Sequence, residues 1–412
     1  MPRYYLGVDW ADAAHAIWVG DDSGTKVTEL TVPHTAEGLS ELGRRLYEWQ
    51  AQGIELWAAI ERPDGRVVDF LLDHGVVVYP INPKALDRAR DRFRMSPAKS
   101  DSFDAWVLAE FLRTDHPHLQ PLLPNSEAAQ ELKLLTRDHE RLGRQQTRLL
   151  NQLTATLKEY YPRPLELFSD LSTPLAGAFL ESFPTPEALR ALTAAQWHEW
   201  ARAHRVSGPR REELWQALAQ PQLPVPAHVV RAKARLVRVL VQQLAVTVRS
   251  VEEYQEEVIR FFASLPASEL THHLPHGTTV PRLWAELGDA AGRWQSWQHL
   301  QAHAGMVPVT LCSGKQHWVQ FRFACNTHLR YAVHSLAWVS LRQSEWARAY
   351  YRQQRTRGHT HHRALRALGA KWLKIIFVMW KEHMPYEEDY HLANMARQHL
   401  RQAASKKLLT AS

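Results

Sequence analysis

The chain has 412 residues, long enough for two or three domains with cores of their own. Its 50 Lys and Arg outnumber 43 Asp and Glu, giving a formal charge of +7 beside 23 histidines, a balance that suits a polyanionic partner. Two cysteines, Cys312 and Cys325, exclude a disulfide framework and a four-cysteine zinc site. The lack of any apolar run near about 18 residues excludes a transmembrane helix. The opening Met-Pro-Arg-Tyr-Tyr does not read as a signal peptide, so a soluble, cytoplasmic protein is expected.

In chain order, residues 3–9, 14–20 and 26–32 are β-prone runs parted by turn-rich pieces such as Gly20-Asp21-Asp22-Ser23-Gly24, which predicts an antiparallel meander. An amphipathic helix is expected from Thr35 to Gln50, then a strand from Ile54 that closes on Glu61. A helix over Gly65–His74, a strand over Val76–Ile81, and helices over Lys84–Arg94 and Asp101–Thr114 follow. Three antiparallel strands succeeded by alternating helix and strand describe a ribonuclease-H-like α/β domain, its parallel strands covered by helices on both faces.

After Pro121–Pro124 the composition shifts to long polar helices. Leu132, Leu135, Leu142, Leu149 and Leu153 take a/d heptad positions, with His139 and Gln146 in the same seam, and predict a helix of roughly 30 residues. A return helix from Arg231 to Phe262 carries Leu236, Val237, Leu240, Leu244, Val248 and Val251 on one stripe. The pair reads either as an intramolecular hairpin or as a coiled coil between two copies. Residues 162–228 between them are shorter, Pro-interrupted helices.

A third region starts at His272. Pro275-His276-Gly277-Thr278 leads into a helix over Pro281–Leu287, and a helix over Ser296–Ala304 ends at Gly305. Val309–Leu311 and His317–Phe323 read as strands around the turn Ser313-Gly314-Lys315. Helices from Thr327 to Arg357 and from His361 to Trp380 complete it. The domains expected are thus 1–120 (α/β), 121–270 (helical), 271–385 (mostly α) and a basic tail, 386–412. From Arg342 to Lys374 nine Lys and Arg (342, 348, 352, 355, 357, 363, 366, 371, 374) face one acid, Glu345, with Trp346, Tyr350, Tyr351 and Trp372 among them. Cations interleaved with aromatics suit phosphate contact plus base stacking; the alternative is a solvated basic face whose aromatics turn into a core.

Four acids carry the chemistry in the first domain. Asp9 closes the first strand, Glu61 closes another, and Asp101 and Asp104 share one face at the start of a helix. Carboxylates gathered from strand ends and a helix repel one another unless a divalent cation neutralises them, and oxygen-only ligands suit Mg²⁺ or Mn²⁺. A strand-end Asp also occurs in actin-like kinases, but Trp10-Ala11-Asp12 offers no glycine for a phosphate turn. Ser100 or Asp101 also fits a plain N-cap, which leaves Asp104 unexplained. Lys84, Arg88, Arg90, Arg92 and Arg94 could clamp a nucleic-acid backbone, while Asp87 and Asp91 allow an ion-paired helix face instead. The stretches Thr271-His272-His273 and His359-Thr360-His361-His362 lack partners that would make them metal sites.

The order GVDW, IERPDG, INPKALDRARDRFRMSPAKSDSFDAWVLAEFLR, a long helical insert, then LWAELGD, HAGMVP and SGK resembles the DEDD-type insertion-sequence transposases, serine recombinases guided by a bridge RNA. The resemblance spans nearly the whole chain and implies a RuvC-like N-terminal domain, a coiled-coil middle and a C-terminal transposase domain. It assigns the metal-holding quartet to Asp9, Glu61, Asp101 and Asp104, with Mg²⁺ or Mn²⁺, and the nucleophilic serine to Ser313, which would form a covalent phosphoserine. Element-end and target DNA, a guide RNA, and a homodimer or homotetramer working in the bacterial cytoplasm beside the nucleoid are implied as partners and setting. Nucleic-acid contacts are expected at Lys84, Arg88, Arg92, Lys315, Arg322, Asn326, Arg330, Arg352, Arg355 and Arg357. Two stretches depart from the family pattern. Pro275-His276-Gly277-Thr278 replaces Pro-Gly-Ile-Gly, and an arginine-rich stretch ending in Gly-Asn is here Gln316 to Asn326, with few charges, although Asn326 and, beyond it, Arg330 are kept. The rival readings are a metal-dependent Holliday-junction-type endonuclease without a covalent serine, and a non-catalytic nucleic-acid-binding remnant.

Overall fold

The computed structural model describes all residues except 62, 64, 94–99, 221, 275, 276, 291, 315, 395, 396 and 398–412, so Lys315, Arg94 and most of the expected tail lie outside the described residues. Two compact units result, Met1–Pro124 and Asn125–Ser412. The first contains β1 (Arg3–Trp10), β2 (Ala14–Gly20), β3 (Lys26–Pro33), α1 (Ala36–Ala51), β4 (Glu55–Ile60), α2 (Arg66–Asp73), β5 (Val77–Pro80), α3 (Pro83–Phe93) and α4 (Asp101–Asp115). The sheet order is β3-β2-β1-β4-β5. The first three strands form the expected meander, and β4 and β5 run parallel to β1, with Val8 opposite Ile60.

Alternation along β1 explains why both faces are covered. Leu6 and Val8 pack with Leu42 and Leu46 of α1 and Leu71 of α2, while Tyr5 faces Leu86 of α3 and Leu108 and Leu112 of α4. The Thr35 and Ser100 hydroxyls cap α1 and α4 by accepting from the backbone N–H groups of Gly38 and Phe103. This mixed sheet between helices is compatible with a RuvC-like fold.

The second unit opens with α5 (Glu127–Tyr160), 34 residues long. Next come α6 (Arg163–Leu167), α7 (Pro174–Ser182), α8 (Pro186–Arg190), α9 (Ala194–Ala203), α10 (Gly208–Leu218) and α11 (Ala227–Ala263). Helices α5 and α11 pack against each other along their length, the hairpin alternative within one chain. The buried seam of α11 steps by four and three through Val230, Ala234, Val237, Val241 and Leu244. Leu236 falls one position off that seam and is 43% exposed, a correction to the expected stripe; Val248 and Val251 are half-buried, as are Leu135, Leu142 and Gln146 on α5. Beyond the hairpin, α6–α10 close around Tyr160, Phe179 and Trp197, and the Trp197 indole donates to the Arg211 carbonyl at 3.0 Å.

The C-terminal part holds α12 (Thr279–Leu287), α13 (Trp297–His303), β6 (Val309–Ser313), β7 (Gln316–Gln320), α14 (Thr327–Gln343), α15 (Glu345–Thr356) and α16 (His361–Glu382). The helical run expected from Thr327 breaks at Ser344, whose extended backbone and hydroxyl cap α15. The second strand stops at Gln320, short of Phe323. Trp346 and Trp372 are core residues, donating to the Tyr386 hydroxyl and Ser340 Oγ at 2.8 and 3.0 Å, so for these two the core reading holds. Tyr386 packs into the same core. Among the described residues no helix is long and apolar enough to cross a membrane.

Candidate active site

Strand register brings the first two acids together. Val8 pairs with Ile60, so Asp9 and Glu61 leave the same end of two adjacent parallel strands. Helix α4 lies directly on β1 because Gly7 permits it: a Cβ there would sit 1.7 Å from the Ala105 carbonyl oxygen. Asp104, beside Ala105, is only 1% exposed, while Asp101 one turn earlier is exposed. The acids thus derive from β1, the end of β4 and the first turn of α4, as expected.

Asp104 is held by a cation of the chain itself. Arg90 on α3 donates from Nε to Asp104 Oδ1 at 2.7 Å and from Nη1 to Asp87 at 2.6 Å. Burial works against the Arg90 charge, yet its bond to Asp104 and the two acids outweigh that and hold its pKa above the ordinary value. Among the described residues, no three His, Cys, Asp or Glu side chains are gathered as a ready metal cage. The donor set nevertheless fits Mg²⁺ chemically: carboxylate oxygens, one deeply buried, near neighbouring strand ends.

Ser313 ends β6, exposed and paired with Gln316 across a tight turn in which Gly314 adopts φ +56°. That positive φ is what a two-residue hairpin turn demands, and Gly314 supplies it without a side-chain clash. Every residue of β7 is exposed, as are Thr310 to Ser313 of β6, so the ribbon offers both faces to solvent. On it Cys312 Sγ lies 3.0 Å from His317 Nδ1.

The remaining expected contacts divide in two. Lys84, Arg88 and Arg92 are exposed along one row of α3, whereas Arg90 turns inward to the acids. Arg352, Arg355 and Arg357 are exposed on and just past α15. In contrast, Arg322, Asn326 and Arg330 bind the root of the hairpin. Arg322 donates to the Val307 carbonyl at 3.3 Å, Arg330 to the Arg322 carbonyl, and the Asn326 backbone N–H to the His303 carbonyl at 2.8 Å.

The Asn326 amide also donates to Glu286 at 2.7 Å, and Arg137 of α5 grips that carboxylate with two bonds of 2.8 and 3.1 Å. Burial alone would raise the Glu286 pKa, but Arg137, then Asn326, more than offset it and hold it below the carboxylate range. The LWAELGD segment is therefore a fastening between α12 and α5, since Asp289 also accepts from the Ser126 backbone N–H at 3.0 Å. Sequence reasoning missed Arg90 as the partner of Asp104 and Glu286 as this fastener. The signal for the second was a lone acid among apolar residues in Leu283 to Leu287.

Residues 6–162 match a family model described as a transposase of the IS110 DEDD type, and residues 276–352 match one described as the IS116/IS110/IS902 transposase family. A "mini-circle putative transposase for IS117" of Streptomyces coelicolor is 32% identical over 383 residues, 90% of this chain and 92% of that protein. The chain belongs to the IS110-type transposase family. A "putative transposase y4uE" of Sinorhizobium fredii is 37% identical over 49% of this chain and 57% of that protein. An "Insertion element IS110 uncharacterized 43.6 kDa protein" of Streptomyces coelicolor is 24% identical over 93% and 95% of the two chains. In this IS110-type transposase all four acids lie inside the first matched segment, and Ser313 lies inside the second. At the coarse level, membership makes the chain a DNA-acting transposition enzyme.

Proposed function

We propose that this transposase cuts and rejoins DNA through a covalent bond to Ser313, supported by the acids Asp9, Glu61, Asp101 and Asp104. The observation that carries the acid half is the shared strand end of Asp9 and Glu61, together with the seating of α4, which carries the buried Asp104, on the same strand β1. For the serine half it is an exposed hydroxyl at the tip of a two-faced ribbon.

Ser313 Oγ attacks the phosphorus, an Oγ–P bond forms, and the bond from phosphorus to the departing strand's oxygen breaks. The proton lost by Oγ balances the one gained by that oxygen. Rejoining reverses the exchange with another strand end, so the bond energy is conserved and no nucleotide triphosphate is consumed. Mg²⁺ or Mn²⁺ held by the four carboxylates would supply charge stabilisation at the phosphate. Arg90 keeps the Asp104 carboxylate oriented, and Lys84, Arg88 and Arg92 offer an exposed cationic row to a phosphate backbone. A guide RNA as the source of sequence choice, assembly as a homodimer or homotetramer, and a cytoplasmic setting are part of the same reading.

The test is covalent capture on labelled element-end DNA. The wild-type chain should yield a protein–DNA adduct that Ser313→Ala abolishes, and Asp9→Asn should still bind DNA while losing adduct by at least about 100-fold. Strands ending in free hydroxyls with no adduct would instead make the chain a junction-type nuclease. Unchanged activity in Asp101→Asn and Ser313→Ala would make it a nucleic-acid-binding remnant.

A further inference from the structure

A cavity of about 620 Å³ opens between α13, α16, Tyr350 of α15 and the root of the β6–β7 hairpin. Its lining contains no Asp or Glu but four cations, Arg363, Arg366, Lys371 and Lys374, all on α16. None of the four has a carboxylate partner among the described residues. Trp297, Tyr350 and Phe321 line the cavity beside the His359 imidazole, and each of the three has a cation near its face. Lys374 lies 5.1 Å from the Trp297 centroid, Lys371 5.7 Å from Tyr350, and Arg366 5.0 Å from Phe321. Burial, then the neighbouring Arg330 and Arg363, push the Arg366 pKa down, the mark of a cation cluster that an anion would relieve.

We propose that this cavity seats one unpaired nucleotide of a single-stranded DNA segment, its base among Trp297, Tyr350 and Phe321 and its phosphates on Arg363, Arg366, Lys371 and Lys374. The volume lies within the roughly 300–1,000 Å³ of small-ligand sites, room for a nucleotide and too little for a duplex. Rings stack on any base, and long cationic side chains move readily from a ring face to a phosphate. Val307, Pro308, Val319 and Gln320 form the hairpin side of the cavity. Four strand steps from Val309 place Ser313 roughly 13 Å further along the ribbon, the reach of a short single strand. The proposal rests on the reading of the chain as a DNA-cutting transposase, but not on a covalent role for Ser313.

The test compares full-length protein binding to labelled oligothymidine of about 12 nucleotides and to an abasic strand of equal charge. Trp297→Ala and Tyr350→Ala should each weaken oligothymidine binding about tenfold and leave the abasic strand unaffected, which also shows that the variants fold. Lys371→Gln combined with Lys374→Gln should weaken both and lower the salt dependence by about 1.4 ions. Wild-type protein irradiated with an iodouracil-substituted strand should cross-link in the peptides holding Trp297, Phe321 or Tyr350. Wild-type affinity for oligothymidine in the ring variants, or cross-links confined to other peptides, would overturn the proposal. Variants that lose oligouridine binding but keep oligothymidine binding would overturn the assignment to DNA. Ser313→Ala should bind oligothymidine as the wild type does, so failure of the serine chemistry and failure of the pocket give different results.

Discussion

His139 shows how a residue's place in a fold changes its chemistry. In the sequence it filled a gap in a leucine seam; in the structure it is 5% exposed, with Nδ1 2.8 Å from the Arg282 guanidinium. Arginine can only donate, so Nδ1 accepts and the ring is neutral. Burial, then the Arg282 charge, lower its pKa to about 4. The unfolded chain therefore takes up this proton first, near pH 6.5, and the folded chain only near pH 4. The stability contributed by this group is fully present above pH 6.5 and is lost at on the order of 1 kcal/mol per pH unit down to about pH 4. Urea titrations across that window should show the added slope in the wild type and lose it in His139→Gln, which keeps an acceptor without the titration. An equal slope in both would remove His139 from the account. Asp104 is the opposite case: as a second acid on the face of Asp101, which an N-cap leaves unexplained, it was a candidate from sequence, but its partner Arg90 was legible only once α3 and α4 lay side by side.

At the scale of elements, strands and helices followed from alternation and periodicity, since each needs only local neighbours to bury one face. The departures arose where one backbone approaches another or ends on a cap. Ser344 breaks what looked like continuous helix, and the α11 seam runs one residue away from Leu236. Gly7 is the decisive element-scale position. Any side chain there meets the backbone of Ala105 and Ala109, and backbone cannot swing aside. Gly7→Ala should therefore lift α4 from β1 and cost about 3 kcal/mol, read as a lower urea midpoint. Near-wild-type stability would show that α4 can slide without penalty. The Gly in GVDW was visible in the sequence, but its reason, a helix seated on a strand nearly 100 residues away in sequence, was not.

For the whole molecule, the proposed binding of a divalent cation by the four acids is a question of linkage. A metal that binds only the folded chain stabilises it by about 2.7 kcal/mol at a hundred times its dissociation constant. Mg²⁺ should raise the melting temperature of the full chain over that in a chelator, and Asp9→Asn with Asp101→Asn should erase the rise. The same shift in wild type and variant would place the metal elsewhere. The basic surplus is also distributed rather than uniform: Arg90 serves the acids, Arg322 and Arg330 brace a hairpin, and the α16 cluster lines a cavity.

The sequence by itself determined the order of elements, the α/β character of residues 3–114, the long helices and the four acids, because periodicity and strand-end charges are local patterns. It also carried enough motif to point to the family. Only the tertiary structure decided which cation meets Asp104, that α5 pairs with α11 in the same chain, that Trp346 and Trp372 are core, and that α16 presents its cations to a cavity lined by aromatic rings. Those outcomes depend on contacts between residues far apart in the chain, where burial and charge pairing are set by packing that no local pattern encodes.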